Sequence, residues 1–226
     1  FVGCFILFLG YMMPKRIERM LVGRAIMSEE SVRTFVEEFF AHPLAHSERN
    51  QLHPFSKTLG LDHHDIAGRK ILLEFDPASQ YEELVQDFVA LALANVEPIV
   101  IFTRRGSAIH SYLSEDKAVK FLCLTQQVSV PKEISENEML LPLNETSLML
   151  DVFDKTSRAY PQGMINIVFD SLSDLISSIG FEKTYYFVRY ATELLVSPRI
   201  TALFLLNQTA HDPKVASSLR GLFRNQ

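Results

Sequence analysis

The chain has 226 residues, 47% of them hydrophobic and 22% charged, which excludes a disordered or low-complexity protein. That length holds one sizeable α/β domain with a short appendage. A formal net charge of -5 and a pI near 5.8 supply no basic field for a phosphate backbone, so nucleic acid is not an expected partner.

The chain opens with the uncharged run FVGCFILFLGYMM (1–13), followed by PKRIERMLVGR, in which Lys15, Arg16, Arg19 and Arg24 face a single acid, Glu18. Crossing a bilayer takes about 20 apolar residues, so the run reads as the end of a transmembrane helix whose basic flank lies on the cytoplasmic side. The alternatives are a signal-peptide remnant, which would carry its basic residues ahead of the apolar run, and a buried hydrophobic helix. The first reading gives a membrane-anchored protein with its soluble domain in the cytoplasm. SEESVRTFVEEFFAH then predicts a short amphipathic helix with Ser28 as N-cap and acids in its first turn. Val32, Phe35, Val36, Phe39 and Phe40 share its apolar face. From His42 to Gly68 the chain is rich in His, Pro, Ser, Asp and Gly without either period, the composition of a linker. The segment 14–67 is thus a basic juxtamembrane stretch, a short helix and a linker, and the α/β domain is placed at 68–226.

Within that domain strands and helices alternate. KILLEF is followed by a helix over 79–95, PIVIFT by a helix over 107–115, then VKFLCLT, MLLPL and a helix over 145–160. MINIVFD precedes a helix over 172–195 broken near Gly180, and ITALFLL precedes a last helix over 213–223. Continuous Val/Ile/Leu/Phe strands between helices predict a mostly parallel sheet buried on both faces, a three-layer α/β/α sandwich preceded by the apolar N-terminal helix. The two cysteines, Cys4 and Cys123, suggest neither a disulfide framework nor a thiolate metal site and read as reduced, structural residues.

In open α/β sheets ligands bind outside the carboxyl ends of the strands. After the first strand comes Asp76-Pro77-Ala78-Ser79-Gln80-Tyr81, where a phosphate loop would need glycines to present amides and a lysine to neutralise charge. Neither is present, and Glu74, Asp76, Glu82 and Glu83 oppose a triphosphate. Asp76 or Ser79 is therefore expected to cap the next helix.

The segments GRKILLEFDP, ANVEPIVIFTRRGSAIHSYL, GMINIVFDSLSDLISSIG and ITALFLLNQTAHDP, in this order, resemble the RecA superfamily, specifically its KaiC-like branch, from about 68 to 223. They look like the Walker A strand, the second strand, the Walker B strand with its following helix, and the next core strand ending in an HDP turn. The resemblance implies a RecA-like sheet and places Asp170 at the Walker B aspartate position. The departures are the missing glycine-lysine-threonine loop between Phe75 and Glu83 and the presence of Arg104 and Arg105 where active relatives carry an acid after the second strand. Phosphoryl transfer needs metal, phosphate cradle and a water-positioning group together. What the resemblance implies is thus a catalytically degenerate, sensory-type relative of the kind found beside signalling modules in archaea and bacteria. Such a domain would act as a membrane-tethered signalling scaffold with protein partners and no cofactor, with self-assembly possible through the faces beside the nucleotide position. The alternative is a P-loop-type ATPase that binds ATP and magnesium through an unconventional loop.

Several further residues are weighed in this frame. Without magnesium-bound phosphate, Asp170 is expected to cap the helix after it. Arg104 and Arg105 either contact an acidic ligand or phosphate or pair with Asp76 and the neighbouring glutamates, the reading the acidic edge favours. Of the HDP turn, either His211 senses an anion or Asp212 caps the last helix, the reading favoured because Pro213 fits the first helical position. The histidines of LDHHD (61–65) suit zinc in kind but read as a solvated linker. The aromatic cluster YYFVRY recurs at helical spacing and reads as core or interface.

Overall fold

The computed structural model of the protein describes residues 29–41, 63–160, 163–170 and 172–223. The expected membrane helix (1–13), its basic flank and most of the expected linker lie outside these residues. No helix among the described residues is long and apolar enough to cross a membrane. Two compact units are distinguished, Phe1–Thr34 and Phe35–Gln226. Of the first, only 29–34, the opening turns of helix α1 (Glu29–Ala41), is described.

The second unit contains α1's last turns, α2 (His63–Ile66), β1 (Lys70–Phe75), α3 (Tyr81–Ala94), β2 (Ile99–Thr103), α4 (Ala108–Leu113), β3 (Val119–Thr125), β4 (Lys132–Ser135), β5 (Glu138–Pro142), α5 (Thr146–Ala159), β6 (Ile165–Phe169), α6 (Leu172–Ile179), α7 (Phe181–Leu194), β7 (Ile200–Asn207) and α8 (Pro213–Gly221). The strands form one sheet in the order β1-β7-β6-β2-β3-β5-β4. Every pairing is parallel except β4 with β5. The parallel strands are apolar because helices cover both faces. The expected three-layer α/β/α architecture is observed.

Alternation along each strand sorts the core into two halves. On one face Ile99, Ile101, Val119, Phe121, Cys123, Val168, Leu203 and Leu205 pack with Val85, Phe88 and Val89 of α3, Ile109 and Leu113 of α4, and Ile66 of α2. On the other an aromatic stack runs through the sheet and the helices above it. Phe102 lies on Phe153 at 4.3 Å between centroids and Phe169 contacts Phe187 at 5.4 Å and Phe204 at 5.9 Å. Each such pair adds about 0.5–1.5 kcal/mol beyond its burial.

Two sequence expectations change here. Strand β1 is an edge strand paired only with β7, and Ile71, Leu72, Leu73 and Glu74 are half-buried, so the expectation of strands buried on both faces does not extend to it. Within the stretch read as linker, His63–Ile66 forms a helical turn. Ile66 is 1% exposed, and the His63 ring sits 3.1 Å from Glu97 at the amino end of β2. Glu97 in turn accepts the Asn166 amide at 2.7 Å. His63 of the LDHHD run is therefore part of a polar clasp at the amino edge, because a buried carboxylate needs donors around it.

Candidate functional site

The strand order decides which side chains meet. Strand β7 inserts between β1 and β6, so the carboxyl ends of β1, β7, β6 and β2 stand in a row and the chain reverses its direction of travel across the sheet there. Such a switch point is where open α/β sheets place ligands. Asp76 follows β1, His211 follows β7, Asp170 follows β6 and Arg104 follows β2, so four of the residues singled out from the sequence share this edge.

Asp170 is its centre. Its amide donates to the Phe102 carbonyl at 2.7 Å, which fixes it beside the end of β2. Its carboxylate is 6% exposed as a residue and accepts from the hydroxyls of Thr103 at 2.7 Å and Ser107 at 3.3 Å. Burial lifts its carboxyl to about 6, against the opposing pull of the Thr103 bond. Two hydroxyl donors thus hold the carboxylate; the expected capping of the next helix involves residue 171, which lies outside the described residues. Ser107 does double duty, for its oxygen also accepts the His110 amide and so caps α4.

The turn after β1 closes on itself. Asp76 Oδ1 accepts the Ala78 amide at 2.8 Å, and the Asp76 carbonyl accepts the Ser79 amide at 2.8 Å and the Ser79 hydroxyl at 2.5 Å. Helix α3 begins after Gln80, which makes no side-chain cap bond. Neither Asp76 nor Ser79 caps α3, because both are spent inside the turn, and both are exposed. Next to this turn Tyr81 stacks on Phe75 at 3.9 Å. Its hydroxyl is held strongly protonated by burial and then by the negative charges of Asp170, Glu82 and Asp174.

The two arginines part company. Arg104 lies 3.8 Å from Asp174 on α6, both exposed, a pairing of small energetic weight. Arg105 bonds Glu138 at the start of β5 at 2.9 Å. The expected pairing with Asp76 and its neighbouring glutamates is not what forms: Glu74 is taken by Arg220 of α8. Glu138 Oε1 also lies 3.7 Å from His110 Nε2 and 3.6 Å from Cys123 Sγ. Burial, helped by Glu138, pushes the Cys123 thiol up to about 12.

His211 is half-buried with its Nε2 unpartnered among the described residues, and burial lowers its pKa. Asp212 caps α8 by accepting the Lys214 amide at 2.8 Å with Pro213 in the first turn, as the sequence predicts. In the YYFVRY cluster Phe187 and Val188 are buried while Tyr186 and Tyr190 are exposed.

The structure thus joins Asp170 to Thr103 and Ser107 by hydrogen bonds and to Tyr81, Arg104 and Asp174 through charge, while Asp76 and Ser79 bond within their own turn. Thr103, Ser107, Tyr81 and Glu138 were not singled out from the sequence. A threonine closing a strand and a serine four residues on is a weak local signal; only the contact across 67 residues to Asp170 gives it meaning.

No protein-family model matches the chain, and no curated protein matches it. Among solved structures, the Pyrococcus horikoshii OT3 protein PH0250 is similar at 12% identity, with a TM-score of 0.53 over 75% of this chain and 84% of that one. The KaiC-like protein PH0186 from the same hyperthermophilic archaeon is similar at 14% identity, with a TM-score of 0.48 over 70% of each chain. The likeness to PH0250 shows a shared fold.

Proposed function

We propose that the chain is a RecA/KaiC-like domain whose carboxyl edge has lost its grip on triphosphate and which works as a sensory or scaffolding module. The observation that carries this reading is the closed turn after β1. Its Ala78 and Ser79 amides are committed to Asp76, so the donors a phosphate loop would offer are used internally. The RecA part is supported by the insertion of β7 between the first strand and the strand that ends at Asp170, together with the order of the motifs along the chain. The loss of nucleotide is supported by charge. Glu82, Asp170 and Asp174 all act on Tyr81 at the head of α3, and repulsion among like charges weakens any polyphosphate placed there. In this reading the run 1–13 tethers the module to a membrane and the strand ends carry its working surface.

Asp170, buried and hydroxyl-bonded at a strand end beside the first turn, favours a second reading, that of an ATP-binding enzyme with an unusual loop. One calorimetric titration with ATP and magnesium separates the two. The scaffold reading expects no saturable binding up to millimolar nucleotide; a micromolar dissociation constant accompanied by phosphate release would replace it with the enzymatic one.

A further inference from the structure

On the face opposite the aromatic stack, three side chains from three elements meet at the outer side of β3. His110 comes from α4, Cys123 from β3 and Glu138 from the start of β5. Their nitrogen, sulfur and oxygen atoms all lie within 4.8 Å of one another. We propose that His110, Cys123 and Glu138 bind a borderline-soft divalent cation, zinc above all.

Two of the three separations match those of ligands around an ion, and the third is within 4.8 Å. Zinc holds sulfur at about 2.3 Å and nitrogen or oxygen at about 2.0–2.2 Å, which in a tetrahedron separates the ligand atoms by about 3.4–3.6 Å. The Cys123–Glu138 separation is 3.6 Å and the His110–Glu138 separation 3.7 Å. The donor set of imidazole, thiol and carboxylate is one that selects zinc over magnesium or calcium. Coordination removes the thiol proton outright, so a neutral buried cysteine is a competent starting point.

The supporting shell is also present. The His110 ring packs edge-on against Phe121 at 5.2 Å, and its helix is pinned by the Ser107 cap. All three ligands stand on regular elements, which hold them more firmly than loops. Arg105 Nε bonds Glu138 Oε1, the oxygen nearest His110 and Cys123, at 2.9 Å; a ligating carboxylate is commonly hydrogen-bonded in this way, and Oε2 is the carboxylate's second possible donor. Three protein ligands leave a fourth position, and the 56% exposed Arg105 side chain marks the solvent side of the cluster. An open fourth position is the pattern of a reactive zinc rather than a closed structural one. This site is distinct from the Asp170 group, to which it is linked only through Ser107, whose oxygen caps the helix of His110 and bonds Asp170.

Cobalt(II) titration of the chelator-treated full chain, freed of any affinity tag, tests it. The expected result is saturable binding with a thiolate-to-cobalt charge-transfer band and visible bands of four-coordinate intensity. Cys123→Ser removes the charge-transfer band, and His110→Gln and Glu138→Gln each weaken cobalt and zinc by about tenfold or more. A folded wild-type chain without the band overturns the proposal. So does a band that survives in Cys123→Ser, because it would then arise from Cys4. Should Cys123→Ser fail to fold, an unchanged band and affinity in His110→Gln overturns it as well.

Discussion

Asp170 is held at a thermodynamic disadvantage. Its carboxyl rises from 3.8 to about 6 on burial, so between those values the native state binds the proton more tightly than the unfolded chain does. Stability therefore falls as pH rises through that window and stays lowered above it. Asp170→Asn keeps an oxygen for the Thr103 hydroxyl but no charge. It is expected to raise stability near pH 8 by about 1–3 kcal/mol and to flatten the pH dependence between about 4 and 6. Melting curves at both ends of the window check this; a variant no more stable than the parent near pH 8 would mean that the hydroxyl donors fully compensate the charge. Lys120 presents the opposite case. It is fully buried on β3, donates to the Phe39 carbonyl at 2.5 Å and the Glu136 carbonyl at 3.4 Å, and lies 4.3 Å from the Phe39 ring centroid. Burial lowers its pKa. Lys120→Ala should cost about 2–4 kcal/mol by leaving a cavity and an unbonded carbonyl, read as a drop in the urea midpoint.

At the scale of elements, the ends of helices are where the sequence departs from local preference. Helix α3 closes in a Schellman motif, with the Glu97 amide on the Ala92 carbonyl and the Val96 amide on the Leu93 carbonyl. The residue required to be left-handed is Val96, at φ 58 and 68% exposed. Glycine is the usual occupant, and a β-branched side chain there is strained. Val96→Gly should therefore stabilise the protein by about 1 kcal/mol, a rise in melting temperature that most glycine substitutions would not give. The turn between α2 and β1 behaves oppositely. Gly68 has φ +76, its amide bonds Thr201 Oγ1 at 2.9 Å, and a Cβ on it would collide with the Pro198 carbonyl. Gly68→Ala is expected to cost more than about 2 kcal/mol, and a neutral result in chemical unfolding would mean that the Pro198 segment can move aside.

At the scale of the whole molecule, the domain boundary can be tested directly. The sequence places the domain start at Gly68, whereas the compact unit runs Phe35–Gln226. Val36, Phe39, Phe40 and Ile66, all nearly inaccessible, precede that boundary, and each buried side chain of this kind contributes roughly 1.5–3 kcal/mol. A fragment starting at residue 35 should unfold in one cooperative step, and one starting at residue 68 should lose about 6–12 kcal/mol of burial. Equal stabilities for the two fragments would restore the shorter boundary.

Much of the architecture is legible in the residues themselves. Strand runs such as PIVIFT and ITALFLL, the break at Gly180 and the Asp212-Pro213 cap are encoded within a few neighbouring positions, because hydrophobic periodicity and capping act over one or two turns of chain. The missing glycines and lysine after β1 are likewise visible in the sequence alone. The edge position of β1, the capture of His63 by Glu97, the parting of Arg104 to Asp174 from Arg105 to Glu138, and the meeting of His110 with Cys123 and Glu138 are not. Each depends on strand order and on register between segments tens of residues apart, and those are settled by how the apolar faces close together. Local chemistry named the candidate residues, and tertiary packing chose their partners.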